Sequence, residues 1–131
     1  MIDLILLGIR EIFQPYPLIF LFLGTIAGIV VGCTPGFTIT MGAALTLPLT
    51  FGMTSIQGLS AMLGVLVGGL AGGQISGILL GIPGTPSSVA TVFDGHPMAK
   101  RGEPGTALCL GIWASFFGGL ISAFVLMFFT P

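Results

Sequence analysis

Two short passages interrupt an apolar chain with groups able to hold an ion or a carboxylate. The first, "GCTPGFT", offers Thr34, Pro35, Gly36 and Thr38; the second, "GIPGTPSS", offers Pro83, Gly84, Thr85, Pro86, Ser87 and Ser88. Each follows a glycine-spaced apolar stretch, each contains Pro-Gly, and each supplies hydroxyls just beyond it. Proline removes a backbone donor and glycine accepts left-handed angles, so a helix is expected to unwind at both places. Unwinding exposes carbonyls on one side, which suit a cation such as Na+. On the other side it exposes a new helix N-terminus, whose free N–H groups and partial positive charge suit a carboxylate.

If helix resumes near Ser87, then Ser87, Thr91 and Asp94 fall at i, i+4 and i+7 and make one polar stripe. Thr38, Gly42, Thr46 and Thr50 make a similar one. The competing fate of such hydroxyls is to cap a helix or to bond back to the carbonyl four residues earlier. Asp94 is either a pathway carboxylate or a turn residue in "DGHP", and the Asp-Gly and His-Pro dipeptides favour a turn at the membrane surface. His96, close to Lys100 and Arg101, reads as an interfacial polar residue rather than a proton relay.

The elements that must position these groups are membrane helices. Only 5% of the 131 residues are charged, 54% are hydrophobic, and no Asp, Glu, Lys or Arg occurs from Ile12 to Phe93, so no soluble surface can be made from this stretch. The lipid bilayer is the expected solvent. The net charge of -1 excludes a nucleic-acid partner, which would require a basic patch. No HExxH, GxSxG or paired carboxylates occur, so no catalytic residues and no enzyme activity are expected. Cys33 and Cys109 lack CxxC spacing and read as small hydrophobes, with no metal site and no disulfide.

Along the chain, "MIDLILLGIREIFQ" suggests an interfacial helix over about 2–14, with Asp3, Arg10 and Glu11 beside apolar residues and no signal-peptide pattern. Membrane segments are expected at about 17–33, 37–52, 56–82 and 105–130, with a broken segment and polar turn at 83–104. Neither 17–33 nor 37–52 comfortably reaches the roughly 20 residues a bilayer requires, so their join is a discontinuous helix or a re-entrant hairpin. Gly105 or Thr106 is the expected N-cap of the last span. Arg10 and the Lys100–Arg101 pair favour the same cytoplasmic side, which implies an even number of crossings between them.

Glycine supplies the clearest periodicity. Gly24, Gly28 and Gly32 recur every four residues, as do Gly64, Gly68 and Gly72, and again Gly69, Gly73, Gly77 and Gly81. A helical glycine costs about 1 kcal/mol relative to alanine in water, so these rows require close backbone packing in return. The expected fold class is therefore an all-α integral membrane protein, a glycine-rich helix bundle with two Pro-Gly helix breaks or re-entrant segments, forming a single membrane domain over 1–131.

The passage "GGQISGILLGIPGTPSSVATVFDGHPMAKRGEPGTAL", Gly72 to Leu108, strongly resembles the large membrane subunit of tripartite tricarboxylate transporters, the TctA-like family. The earlier "GCTPGFTITMGAALTLPLTFG" resembles that family's first Pro-Gly motif, so the resemblance covers essentially the whole chain. It implies a multi-pass protein of the bacterial inner membrane, a secondary transporter coupled to a Na+ or H+ gradient and needing no other cofactor. It also implies a small membrane subunit and a periplasmic binding protein as partners, and tricarboxylates or related organic carboxylates as substrates. Family members are much longer and repeat a Pro-Gly motif in their second half, so the chain resembles their amino-terminal part only. Carried over by position, the candidate substrate or ion contacts are Thr34, Pro35, Gly36, Thr38, Pro83, Gly84, Thr85, Pro86, Ser87 and Ser88; the polar stripe adds Thr91 and, as a pathway group or turn residue, Asp94. Many members have Tyr, Ser and Asn where this chain has Ala71, Gln74 and Gly81, which argues against the usual tricarboxylate specificity. The competing reading is a truncated, non-transporting structural module that packs on other helices through its glycine faces.

Overall fold

The computed structural model describes residues 2–129, with side chains from Leu6 onward. The Asp3 side chain and Thr130, the end of the last expected span, lie outside the described residues. The elements are α1 (Ile2–Ile12), α2 (Pro15–Cys33), α3 (Ile39–Thr50), α4 (Ser55–Leu80), a 3₁₀ turn (Pro86–Ser88), α5 (Val89–Lys100) and α6 (Pro104–Phe129). Among the described residues there is no strand, and the chain is an all-α membrane protein.

Among the described residues three helices, α2, α4 and α6, are long and apolar enough to cross a bilayer. At 1.5 Å per residue they extend about 28, 39 and 39 Å, against a hydrocarbon core of about 30 Å. The length of α2 departs from the expectation that the segment before Thr34 falls short. Pro15 and Pro17 lie in its first turn, where a missing N–H costs nothing and the fixed φ is already helical. By the same logic Pro104, rather than Gly105 or Thr106, opens α6. α3, with 12 residues, extends only about 18 Å and cannot cross alone.

The close packing of α2 on α4 organises the bundle. A methyl group placed on Gly24, Gly28 or Gly32 would strike the backbone carbonyls of Ala61, Val65 or Gly69. Reciprocally, methyl groups on Gly64, Gly68 and Gly72 would strike the carbonyls of Leu21, Thr25 and Ile29. Both glycine rows thus mesh, and the partners rise together along both helices, so α2 and α4 run parallel. With no side chains between them, the two backbones meet through van der Waals contact over about three helical turns, the means by which helices associate in lipid.

Two parallel neighbours require the chain to return between them, and α3 does so. Ile39 lies on Gly69 of α4, while Thr50, at the other end of α3, lies on Gly58. The Thr34–Thr38 passage is therefore the tip of a helical hairpin, α2 rising and α3 descending. Beyond Gly69, the second glycine row of α4 faces the 3₁₀ turn and α5: a methyl group on Gly73 would be 2.9 Å from Thr85 Cγ2, and one on Gly77 would be 3.3 Å from Val92 Cγ2.

After α4 the chain unwinds at Gly81, descends in extended form to Thr85 at the level of Gly73, and climbs again as α5 until His96 reaches Gly81. The "DGHP" passage, expected as a surface turn within 83–104, is thus the middle of a helix. Tertiary contact outweighs its turn propensity: Gly95 sits directly on Ile78, where an added methyl group would be 2.7 Å from Cγ1. Arg101 N–H bonds to Pro97 and Met98 carbonyls at 3.1 Å, and Gly102, at φ +91°, then ends the run.

α6 descends antiparallel to α4, with Gly111 beside Gln74 and Ile78. Almost all its side chains are exposed and apolar, a surface suited to acyl chains or further helices. Arg10, just before α2, lies toward the end of the bundle where α4 begins, whereas Lys100 and Arg101 lie where α4 finishes. The even number of crossings expected from charge is therefore not what the fold shows. Three cations in the whole chain are too few to fix the topology against the packing of two glycine rows.

Candidate functional site

The two Pro-Gly breaks meet. The hairpin of α2 and α3 presents its tip from one end of the bundle, and the Ile82–Ser88 loop presents its own from the other. A methyl group on Gly84 would lie 2.7 Å from the Gly32 carbonyl oxygen, 2.9 Å from Ser76 Oγ and 3.4 Å from Gly73 Cα. Gly84 is therefore pressed between the last turn of α2 and the body of α4. The join of α2 and α3, left open by the sequence, is a helical hairpin, and a second loop folding back from the opposite end of the bundle meets its last α2 turn at the level of Gly73.

The second tip is built around its own hydroxyls. Thr85 N–H donates to Ser88 Oγ at 3.1 Å, Ser88 N–H donates to Thr85 Oγ1 at 3.3 Å, and Ser88 Oγ–H donates to the Thr85 carbonyl at 2.7 Å. Thr85 and Ser88 are only 3% and 1% exposed, so these bonds replace lost solvation and hold the loop at depth. Their role is to shape the tip. Ser87 is exposed and shares only a 3.1 Å contact with Thr85 Oγ1, leaving it able to bond elsewhere.

In the first tip, Thr34 Oγ1–H donates back to the Val30 carbonyl at 3.0 Å, and Thr38 Oγ1 caps α3 by accepting from Met41 N–H at 3.3 Å. Thr46 and Thr50 likewise bond to the carbonyls of Gly42 and Leu47 at 2.7 Å, so the expected hydroxyl stripe on α3 is turned toward its own backbone. Pro35, Gly36, Pro83 and Pro86 are exposed beside these groups. Thr91 is half-buried on α5 and Asp94 is exposed there. Ser87 belongs to the 3₁₀ turn rather than to α5, and its tighter winding breaks the i, i+4 register that joined Ser87 to Thr91.

His96 has a structural place that its neighbours in sequence conceal. Its Nδ1–H donates to the Ile78 carbonyl at 3.1 Å, satisfying an acceptor that the end of α4 leaves without a helical partner. Its ring lies over Gly81, whose φ is +69° and whose added methyl group would be 2.8 Å from Nε2. Gly81→Ala is expected to destabilise the protein by about 1–2 kcal/mol through the left-handed backbone alone. The collision with the His96 ring adds to that. Thermal unfolding in detergent checks this against Gly105→Ala, where nothing lies within 4 Å; equal midpoints would refute it.

Two polar residues absent from the sequence-based site enter here. Gln74 Nε2–H donates to Ser115 Oγ at 2.7 Å, joining α4 to α6 beside Ser87. Ser115 lies in "WASFFGG", where nothing in local spacing marks it; only the antiparallel docking of α6 brings it to Gln74.

Similarity to known proteins extends over both tips. The family model described as "Tripartite tricarboxylate transporter TctA family" matches residues 18–131. A protein of Agrobacterium vitis, described as an uncharacterized 52.8 kDa protein in the TAR-I ttuC' 3' region, is 34% identical over 125 residues. That match covers 95% of this chain, which spans about a quarter of the relative's length, 25%. No solved structure matches.

Proposed function

The chain belongs to the tripartite tricarboxylate transporter TctA family, a family of transporter components rather than enzymes, and from that premise we propose that it forms the substrate-handling tips of an ion-gradient-driven organic anion transporter. The observation that carries this reading is the meeting of two Pro-Gly loops that turn back from opposite ends of the bundle, with Gly84 against Gly32 and Ser76. Non-helical backbone at membrane depth is tolerated where protein or a watery cavity surrounds it, and transporters place such broken segments at their binding sites.

Ser87 and the backbone of both tips would contact the anion or a coupling Na+ or H+, while Thr38, Thr85 and Ser88 hold the tips in shape. The proposal includes the bacterial inner membrane as location, a small membrane subunit and a periplasmic binding protein as partners, and tricarboxylates or related organic anions as substrates. Alternating access would move one tip relative to the other across the Gly32–Gly84 contact.

The test is carboxylate uptake into proteoliposomes by the full-length family protein carrying this segment, reconstituted with its membrane partner and supplied with binding protein. Uptake should vanish when ionophores collapse the Na+ and H+ gradients. Ser87→Val and Thr38→Val should each lower it by about tenfold or more, equivalent to about 1.4 kcal/mol. Uptake that survives gradient collapse refutes ion coupling, and unaltered uptake in both variants refutes the site.

A further inference from the structure

Between α4, the 3₁₀ turn and α6 lies a cavity of about 650 Å³, within the range of small-molecule sites. Leu70 and Ala71 form one wall and Ile112 and Phe116 the other. Four neutral polar residues interrupt this apolar lining: Gln74, Ser115, Ser87 and Ser88, the last with its hydroxyl already bonded to Thr85. Gln74 Nε2 donates to Ser115 Oγ at 2.7 Å, which leaves the second amide proton, the Ser115 hydroxyl proton and that of Ser87 as donors for a ligand. Space for the amide comes from Gly111, where a methyl group would be 3.1 Å from Gln74 Oε1.

Among the described residues the lining contains no Lys, Arg or His. Burying three carboxylates among apolar walls without a cation carries a prohibitive desolvation cost, whereas one carboxylate can be met by several neutral donors. An apolar body gains what a polyanion loses, since it is transferred from water to the surfaces of Leu70, Ile112 and Phe116.

We propose that this cavity receives an organic anion with a single carboxylate and an apolar aryl or alkyl body, the carboxylate at Ser87, Gln74 and Ser115 and the body between α4 and α6. The inference rests on the transport reading above and specifies its substrate class. Ser87 links the two, because it belongs to the second tip and to the cavity lining at once.

The test is counterflow by the full-length family protein carrying this segment, in proteoliposomes with its membrane partner, using radiolabelled phenylacetate and radiolabelled citrate as separate probes. Phenylacetate is expected to exchange faster than citrate. Ala71→Phe, which fills the cavity, and Gln74→Met, which keeps bulk but removes the amide, should each lower phenylacetate exchange by about tenfold or more. Thermal unfolding verifies that each variant is folded, and either variant alone suffices for the test. Citrate exchange equal to or above that of phenylacetate overturns the inference while leaving the transport reading intact. Phenylacetate exchange unaffected in the folded variants, as expected if an acyl chain fills the cavity, also overturns it. Failure of both probes and of every other carboxylate to exchange overturns the transport reading itself, and this inference with it.

Discussion

Replacing Gly68 with leucine is expected to pull α2 and α4 apart and to abolish stable accumulation of the protein in the membrane. The first carbon added at Gly68 strikes the Thr25 carbonyl oxygen and would lie 2.9 Å from its carbon and 3.0 Å from the Ile29 nitrogen. These are backbone atoms of a helix, which have no rotamer by which to move aside. One overpacked site costs about 1–3 kcal/mol when side chains can adjust. Here the helix must withdraw as a body, so the contacts of Gly64 and Gly72 in the same row are lost with it. Gly68→Ala should show the same defect in weaker form. Membrane yield and thermal unfolding in detergent provide the measurement, with Gly105→Leu as the comparison, since a methyl group there meets nothing within 4 Å. Equal yield and stability in the two leucine variants would refute the meshed glycine rows.

The second large effect is functional. Gly84→Val should leave the helices assembled but reduce anion uptake by about a hundredfold, equivalent to about 2.7 kcal/mol. Gly84 lies in a loop, so the fold does not depend on it as a helix crossing does, yet its added carbon would press on the Gly32 carbonyl and on Ser76 Oγ. Relief requires the second tip to retreat from the first. If the anion or coupling ion is handled where the tips meet, the retreat removes that place. The measurement is gradient-driven uptake normalised to folded protein, using the same full-length family protein. Wild-type uptake in a variant of normal stability would show that contact between the tips is not needed for transport.

These two substitutions separate the purposes of glycine in this chain. Gly24, Gly28, Gly32, Gly64, Gly68 and Gly72 hold helices together, and their spacing is visible in the sequence. Gly84 sits outside any glycine row, and its place against Gly32 arises only because Gly81 turns the chain back. His96 belongs to the second kind as well. Beside Lys100 and Arg101 it looks interfacial, but its hydrogen-bond partner is Ile78, eighteen positions earlier.

The solvent, the helical class, the rows of close packing and the two places where the backbone breaks were all legible in the residues alone. Each depends on local composition or on fixed spacing: charge depletion, 3.6-residue periodicity, and the conformational limits of Pro and Gly. The matched family followed from motif similarity over nearly the whole chain. Three-dimensional packing was needed to establish that both breaks reverse direction, that their tips meet beside Gly73, that "DGHP" stays helical, and that Gln74 reaches Ser115. The physical reason is range. A Pro-Gly pair dictates that a helix must stop, but the direction in which the chain leaves is set by what it can pack against, and here that is the glycine face of α4, shared in turn by α2, α3 and α5.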